Sequence, residues 1–197
     1  MNKEQVFSIS NGQDFTDAAL QIFHHQASNC AVYHTFISGL DIDVAAVRSI
    51  DQIPFLPIEF FKSQKVLSDD KPAEVTFTSS GTTGMITSRH LVTDVSWYTQ
   101  SFREAFNLFY GDIKNYTVLA LLPSYLEREG SSLIYMADDL IKQSQNGDSG
   151  FYLYNHDELF RHLKKQQDTR KPTILIGVTF ALLDFVEQYR INFPELI

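Results

Sequence analysis

Thiols and long apolar runs are both scarce in this chain. Cys30 is the single cysteine, so no disulfide can form within the chain, and that usage fits a reducing compartment. No activating base neighbours it, so it reads as a small core or helix-end residue. No run of about 18 apolar residues occurs, the length a membrane-spanning helix needs, and the opening MNKEQVFSIS lacks the apolar centre of a secretory leader. The expectation is a cytoplasmic protein with no membrane span. Positive charge is also in short supply. Lys and Arg number 16 against 24 Asp and Glu, a formal charge of -8, and no basic run stands out, which argues against broad contact with a nucleic-acid backbone. The six histidines show neither H-x-x-x-H nor H-E-x-x-H spacing, so no zinc site is expected. There is no internal repeat, low-complexity tract or linker.

What is present is a globular mixture, 44% hydrophobic and 20% charged over 197 residues, enough for one ordinary domain with a good core. Phe15, Ala18, Ala19, Ile22 and Phe23 recur at helical spacing within residues 14–27. In VRSIDQIPFLPIEFFK, Pro54 and Pro57 forbid a regular helix, so an aromatic-rich extended connector is predicted, with room for a short helical turn after Pro57. AEVTFT reads as a strand. Trp97, Tyr98, Phe102, Ala105, Phe106 and Phe109 recur at helical spacing up to the stop signal Gly111. YTVLALLP is nearly continuous in apolar residues, the mark of a strand buried on both faces. SSLIYMADDLIKQS is a predicted helix capped by Ser131 or Ser132. GFYLY then reads as a strand, HDELFRHLKKQQ as a surface helix, PTILIGV as a buried strand and TFALLDFVEQYR as a helix directly after it. This order predicts an α/β fold with a mainly parallel sheet flanked by helices. Residues 1–52 read as a helical N-terminal segment and 53–197 as the α/β part.

One stretch is unusual. TSSGTTG, Thr78 to Gly84, packs five hydroxyls and two glycines into seven residues. An apolar run precedes it and a longer helical pattern follows. Gly81 and Gly84 permit tight bending with N–H groups aimed at an anion, and Ser79, Ser80, Thr82 and Thr83 add short donors. From composition alone it is either a Ser/Thr-rich surface turn or a phosphate-gripping loop. The G-x-x-x-x-G-K-[ST], G-x-G-x-x-G and G-x-S-x-G patterns are all absent. Ligands in parallel sheets gather at the carboxyl ends of strands. Three segments are expected there: TSSGTTG, PSYLEREGSS and Gly177–Val178–Thr179.

TSSGTTG resembles the phosphate loop of the adenylate-forming superfamily, which includes acyl-CoA synthetases, luciferases and peptide-synthetase adenylation domains. With IPFLPIEFFK some twenty residues upstream, the pattern is most similar to LuxE-type acyl-protein synthetases, the fatty-acid-activating component of bacterial luminescence systems. LALLPSYLEREGSS resembles the strand and loop bordering the acyl pocket, and PTILIGVTFALLDFV a later strand–helix unit. The resemblance runs from about Ile53 to Val186. It implies that a carboxylic acid, such as a fatty acid, attacks the α-phosphate of Mg-ATP, and that the acyl group of the adenylate then passes to a thiol. Ser79, Ser80, Gly81, Thr82, Thr83 and Gly84 would hold the β- and γ-phosphates in a loop mobile between Ser79 and Ser88. Ser124, Tyr125, Gly130, Gly177 and Val178 would border the substrate. Possible partners are an acyl reductase or an acyl carrier.

The departures are specific. The superfamily loop continues into Pro-Lys, and Ile86 and Thr87 stand there instead. Arg89, the nearest cation, is either a substitute or a solvated charge, and a guanidinium cannot reproduce a lysine's point contact. The family's Mg²⁺-holding Glu, ribose-binding Asp, mobile lid and acyl-accepting cysteine have no counterpart before Ile197. The expectation is therefore the N-terminal part of a longer enzyme, inactive by itself, with its Mg²⁺ ligand beyond residue 197. The alternative is a non-catalytic module of the same fold that docks a partner through PFLPIEFFK. Glu127 and Glu129 around Arg128 form either a solvated loop or a ligand-facing one. Trp97, Phe102, Phe106 and Phe109 read as a core stripe that also suits the wall of an acyl tunnel. The adjacent Asp138 and Asp139 suit a helix surface better than a paired acid and base.

Overall fold

A computed structural model describes residues 2–79, 87–123 and 130–197. The chain forms two compact units, Met1–Tyr98 and Thr99–Ile197.

The first unit opens with α1 (Lys3–Phe7), capped by Asn2, whose side chain accepts from the Gln5 N–H while Gln5 bonds back to the Asn2 N–H. The next helix, α2 (Gly12–Asn29), starts at Asn11, whose side-chain oxygen accepts from the N–H groups of Gln13 and Asp14. This satisfies two of the donors every helix start leaves open. Cys30 is extended and ends α2, and α3 (Ala31–Gly39) begins after it. The thiol side chain is 1% exposed in a core with Phe23, Ala27, Tyr33, Ile37 and Val47. Cys30 is therefore a core residue and a helix-end residue at once. The connector is extended apart from 3₁₀ turns and α4 (Phe60–Ser63), the short turn expected after Pro57. Tyr33 ties it down, donating its hydroxyl to the Pro54 carbonyl at 2.6 Å. Burial raises the Tyr33 phenol above its ordinary value.

Two strands complete this unit, β1 (Val75–Thr78) and β2 (Arg89–Val92), paired antiparallel with Val75 opposite Val92 and Thr78 opposite Arg89. The sequence reading missed β2, which stands between the hydroxyl-rich stretch and the expected helix, and the structure gives β1 its own two-stranded sheet. The physical reason is locality, because closing a short loop onto the adjacent segment costs less chain entropy than reaching a distant sheet. RHLV is too short to show a period.

α5 (Val95–Tyr110) contains the boundary between the units. The second unit then alternates strand and helix through β3 (Thr117–Leu121), α6 (Ser132–Ser144), β4 (Gly150–Phe151), α7 (His156–Thr169), β5 (Thr173–Gly177) and α8 (Thr179–Gln188). The sheet order is β4-β3-β5, all parallel, with Leu119 opposite Gly150 and Leu121 opposite Gly177. Every residue of β3 is buried, as its apolar run predicts. The alternation sorts the faces. Leu119 and Leu121 pack with Leu159 and Leu163 of α7 and Ala181 and Phe185 of α8. Ala120 and Leu122 pack with Ala137 of α6. Helices thus cover both faces, an α/β arrangement with a small parallel sheet. The end of the chain runs alongside β5, where the Leu175 N–H donates to the Ile197 carbonyl at 2.9 Å. Among the described residues no helix is long and apolar enough to cross a membrane.

Candidate functional site

In the first unit the hydroxyl-rich stretch begins where β1 ends. Residues 80–86, with Ser80, Gly81, Thr82, Thr83 and Gly84, lie outside the described residues, so the expected mobility of the loop is not tested there. Its neck is described. Ser79 and Ser88 are the next pair after Thr78 and Arg89 in the hairpin register. The Ser79 N–H donates to the Ser88 carbonyl at 3.1 Å, but the Ser88 N–H turns to the Ser79 side-chain oxygen at 3.0 Å. The ladder therefore passes from backbone to side chain at the loop entrance. Ser88 is buried and its hydroxyl lies 3.3 Å from His90 Nε2. On the imidazole's other contact, Phe61 stacks with ring centroids 4.6 Å apart. Phe61 belongs to the connector, so IPFLPIEFFK packs against β2 two residues beyond Ser88. Arg89 is exposed and makes no ion pair with a described residue. Both described N–H groups of the neck are committed within it, and the exposed Arg89 guanidinium stands beside it as a cation suited to an anion. His90 and Phe61 were not legible as site residues, since a four-residue strand shows no period and only pairing brings them together.

The same unit holds a cavity of about 910 Å³, lined by α1, α2, the connector and the far end of β2. No local sequence signal could have revealed it, because its wall is drawn from residues 6 to 97.

In the second unit the strand connections change direction. α6, after β3, covers one face, while α7 and α8 cover the other. In doubly wound sheets such a change of direction between adjacent strands marks the ligand-binding edge. Ser124 and Tyr125 lie outside the described residues. Gly130 has φ +80° and stands just before Ser131, whose side chain caps α6 by accepting from the Ile134 N–H. Gly177 and Val178 end β5 and lead into α8. Gly177 has a packing reason to be glycine. An added Cβ would lie 2.8 Å from Leu182 Cγ and 3.3 Å from Leu121 Cβ. Val178 is half-buried and packs against both core faces. Of the three segments expected at one sheet edge, TSSGTTG follows β1 of the two-stranded sheet, most of PSYLEREGSS lies outside the described residues, and Gly177–Val178–Thr179 runs on from β5 of the parallel sheet.

The opposite, amino edge of this sheet carries a polar cluster that sequence reading missed. Asp148 accepts from Lys165 at 2.7 and 2.9 Å and from Gln166 Nε2 at 2.9 Å, and Gln166 Oε1 lies 3.2 Å from the Thr117 hydroxyl. The Lys165 hydrogen bonds, aided by Gln166, hold the Asp148 carboxyl below the usual carboxylate range against the opposing effect of burial. His162 Nδ1 lies 3.4 Å from Asp148 but off hydrogen-bond geometry, with no hydrogen-bond partner among the described residues. Burial pushes the Tyr152 phenol up to about 12, and its hydroxyl donates to the Asp148 carbonyl at 2.8 Å. Its place at the amino ends of the strands makes this cluster a structural tie. Among the described residues no three His, Cys, Asp or Glu side chains group as metal ligands.

Asp138 and Asp139 point apart as their spacing predicts, the first to Lys142 and the second to Arg103, with Arg103 Nε donating at 2.8 Å. Of the aromatic stripe, Phe102 is buried and Phe109 is 77% exposed, so the stripe is core only in part. Trp97 lines the cavity.

No family model, no curated protein and no solved structure matches this chain.

Proposed function

We propose that this protein acts in the ATP-dependent activation of a carboxylic acid, with a fatty acid as the favoured class. A carboxylate oxygen bonds to the α-phosphorus of ATP, and the α–β bridging bond breaks to release pyrophosphate. A thiol then displaces AMP from the acyl-adenylate. The observation that carries this reading is the TSSGTTG stretch standing on a hairpin neck locked by Ser79 and Ser88, with the PFLPIEFFK connector stacked beside it through Phe61. In this reading Ser79 to Gly84 present hydroxyls and N–H groups to the β- and γ-phosphates, and Arg89 supplies the cation nearest the neck. Such chemistry asks the protein for positioning and charge stabilisation rather than covalent work. Mg²⁺ would neutralise the phosphates through one or two carboxylates and the phosphate oxygens.

The test is fatty-acid-dependent exchange of labelled pyrophosphate into ATP. Changing Thr82 and Thr83 together to Ala lowers the exchange rate by about tenfold to a thousandfold, the range seen when positioned charge-stabilising donors are lost. An unchanged rate returns the stretch to the status of a surface turn.

A further inference from the structure

The cavity of the first unit has no assigned role, and its make-up is one-sided. Phe15, Ala19 and Ile22 present one stripe of α2 to it, and Phe55, Leu91 and Trp97 add apolar walls from three other segments. Three of these large side chains are left open to solvent: Phe15 is 56%, Ile22 45% and Phe55 76% exposed. Single exposed apolar residues are ordinary, but several lining one concavity mark a binding site. The volume of about 910 Å³ falls within the range of small-molecule sites, roughly 300–1,000 Å³. Three charged residues also line it. Asp94 is committed to Lys3 and Ser96. Asp69 accepts the Lys71 backbone N–H at 3.1 Å. Lys71 is exposed and its ammonium has no ion-pair partner among the described residues. A mostly apolar space with one cation in its lining that has no ion-pair partner among the described residues is complementary to an aliphatic chain ending in a carboxylate.

We infer that this cavity binds a long-chain aliphatic carboxylate, its chain along the α2 stripe and its head group at Lys71. The choice of a carboxylate head rests in part on the carboxylic-acid reading above, while the chain site stands on the cavity itself. β2 connects the two places. Leu91 and Val92 belong to the cavity wall, and Arg89 at the loop neck is three residues, about 10 Å, up the same strand.

Trp97 is the single tryptophan of the chain and lines the cavity, so its emission reports occupancy directly. The full chain is titrated with decanoate, dodecanoate and tetradecanoate below their micellar concentrations, without ATP. Saturable binding is expected, with the dissociation constant falling about fourfold for each added methylene. Ala19→Phe, which fills the space, and Phe55→Ser, at a site too exposed to endanger the fold, each weaken tetradecanoate at least tenfold with thermal melting unchanged. Lys71→Gln weakens tetradecanoate several-fold and leaves tetradecanol unaffected. Non-saturable changes, indifference to chain length, or wild-type binding in both cavity variants overturn the inference. So does a concentration-dependent dimer that Phe55→Ser abolishes in a protein that binds no fatty acid, which would make the concavity an interface between copies. Binding that persists while pyrophosphate exchange fails upholds this site and rejects the proposed activity. Exchange without binding rejects the site alone.

Discussion

Gly177 shows how one atom decides a position. It lies at the end of β5 where Leu182 of α8 closes down, and a Cβ there would sit 2.8 Å from Leu182 Cγ and 2.9 Å from its Cδ2. Gly177→Ala therefore overpacks the strand–helix junction and is expected to cost about 1–3 kcal/mol, measured by urea unfolding. Asp148 decides differently, through charge. Its carboxyl is held below the usual range chiefly by Lys165. A carboxylate whose folded value is depressed stabilises the fold above its unfolded value, and that gain disappears as pH falls through the folded value. Asp148→Ala also strips the buried Gln166 amide of an acceptor. The expected loss is about 1–3 kcal/mol at neutral pH. The difference between wild type and variant should shrink below about pH 4, followed by urea unfolding across a pH series. A pH-independent difference would show that the Lys165 pairing contributes nothing. In sequence neither residue announces its role, since Leu182 and Lys165 are joined to them only by packing.

At the scale of elements, caps are the local information that survives into the structure. Asn11 satisfies two N–H groups at the start of the 18-residue α2. Asn11→Ala is expected to lower stability by about 1 kcal/mol, within the usual range of 0.5–2 kcal/mol, read from the thermal unfolding curve. Because α2 carries one wall of the cavity, the same variant tests whether that wall depends on its helix end. The β1–β2 hairpin has a different anchor. Ser79→Ala removes the acceptor of the Ser88 N–H, in a residue that is buried, and should cost about 0.5–1.5 kcal/mol. Faster amide exchange at Ser88 is the measurement that locates the loss. The helices from α5 onward fall close to where apolar spacing and caps place them, and β3 and β5 announce themselves as continuous apolar runs. β2 does not, because RHLV carries no alternation and owes its extended form to β1 opposite.

The whole molecule carries a formal charge of -8, which repels a phosphate backbone over the distance of a Debye length, about 8 Å at physiological salt. No retention on immobilised double-stranded DNA is expected at that ionic strength, and retention would disclose a basic patch that composition conceals. The sequence by itself determined the alternation of strand and helix in residues 111–188, the burial of β3 on both faces, and the hydroxyl-rich stretch with its two flexible glycines. Those properties reside in side chains near one another along the chain, where period, propensity and capping operate. The tertiary structure decided that β1 pairs antiparallel with β2 in a sheet of their own, so the hydroxyl-rich stretch joins two hairpin strands. It also placed Phe61 on His90 and opened a cavity between segments as far apart as Val6 and Trp97. Strand partnership and unfilled space are fixed by which distant surfaces pack together, and no window of neighbouring residues contains that information.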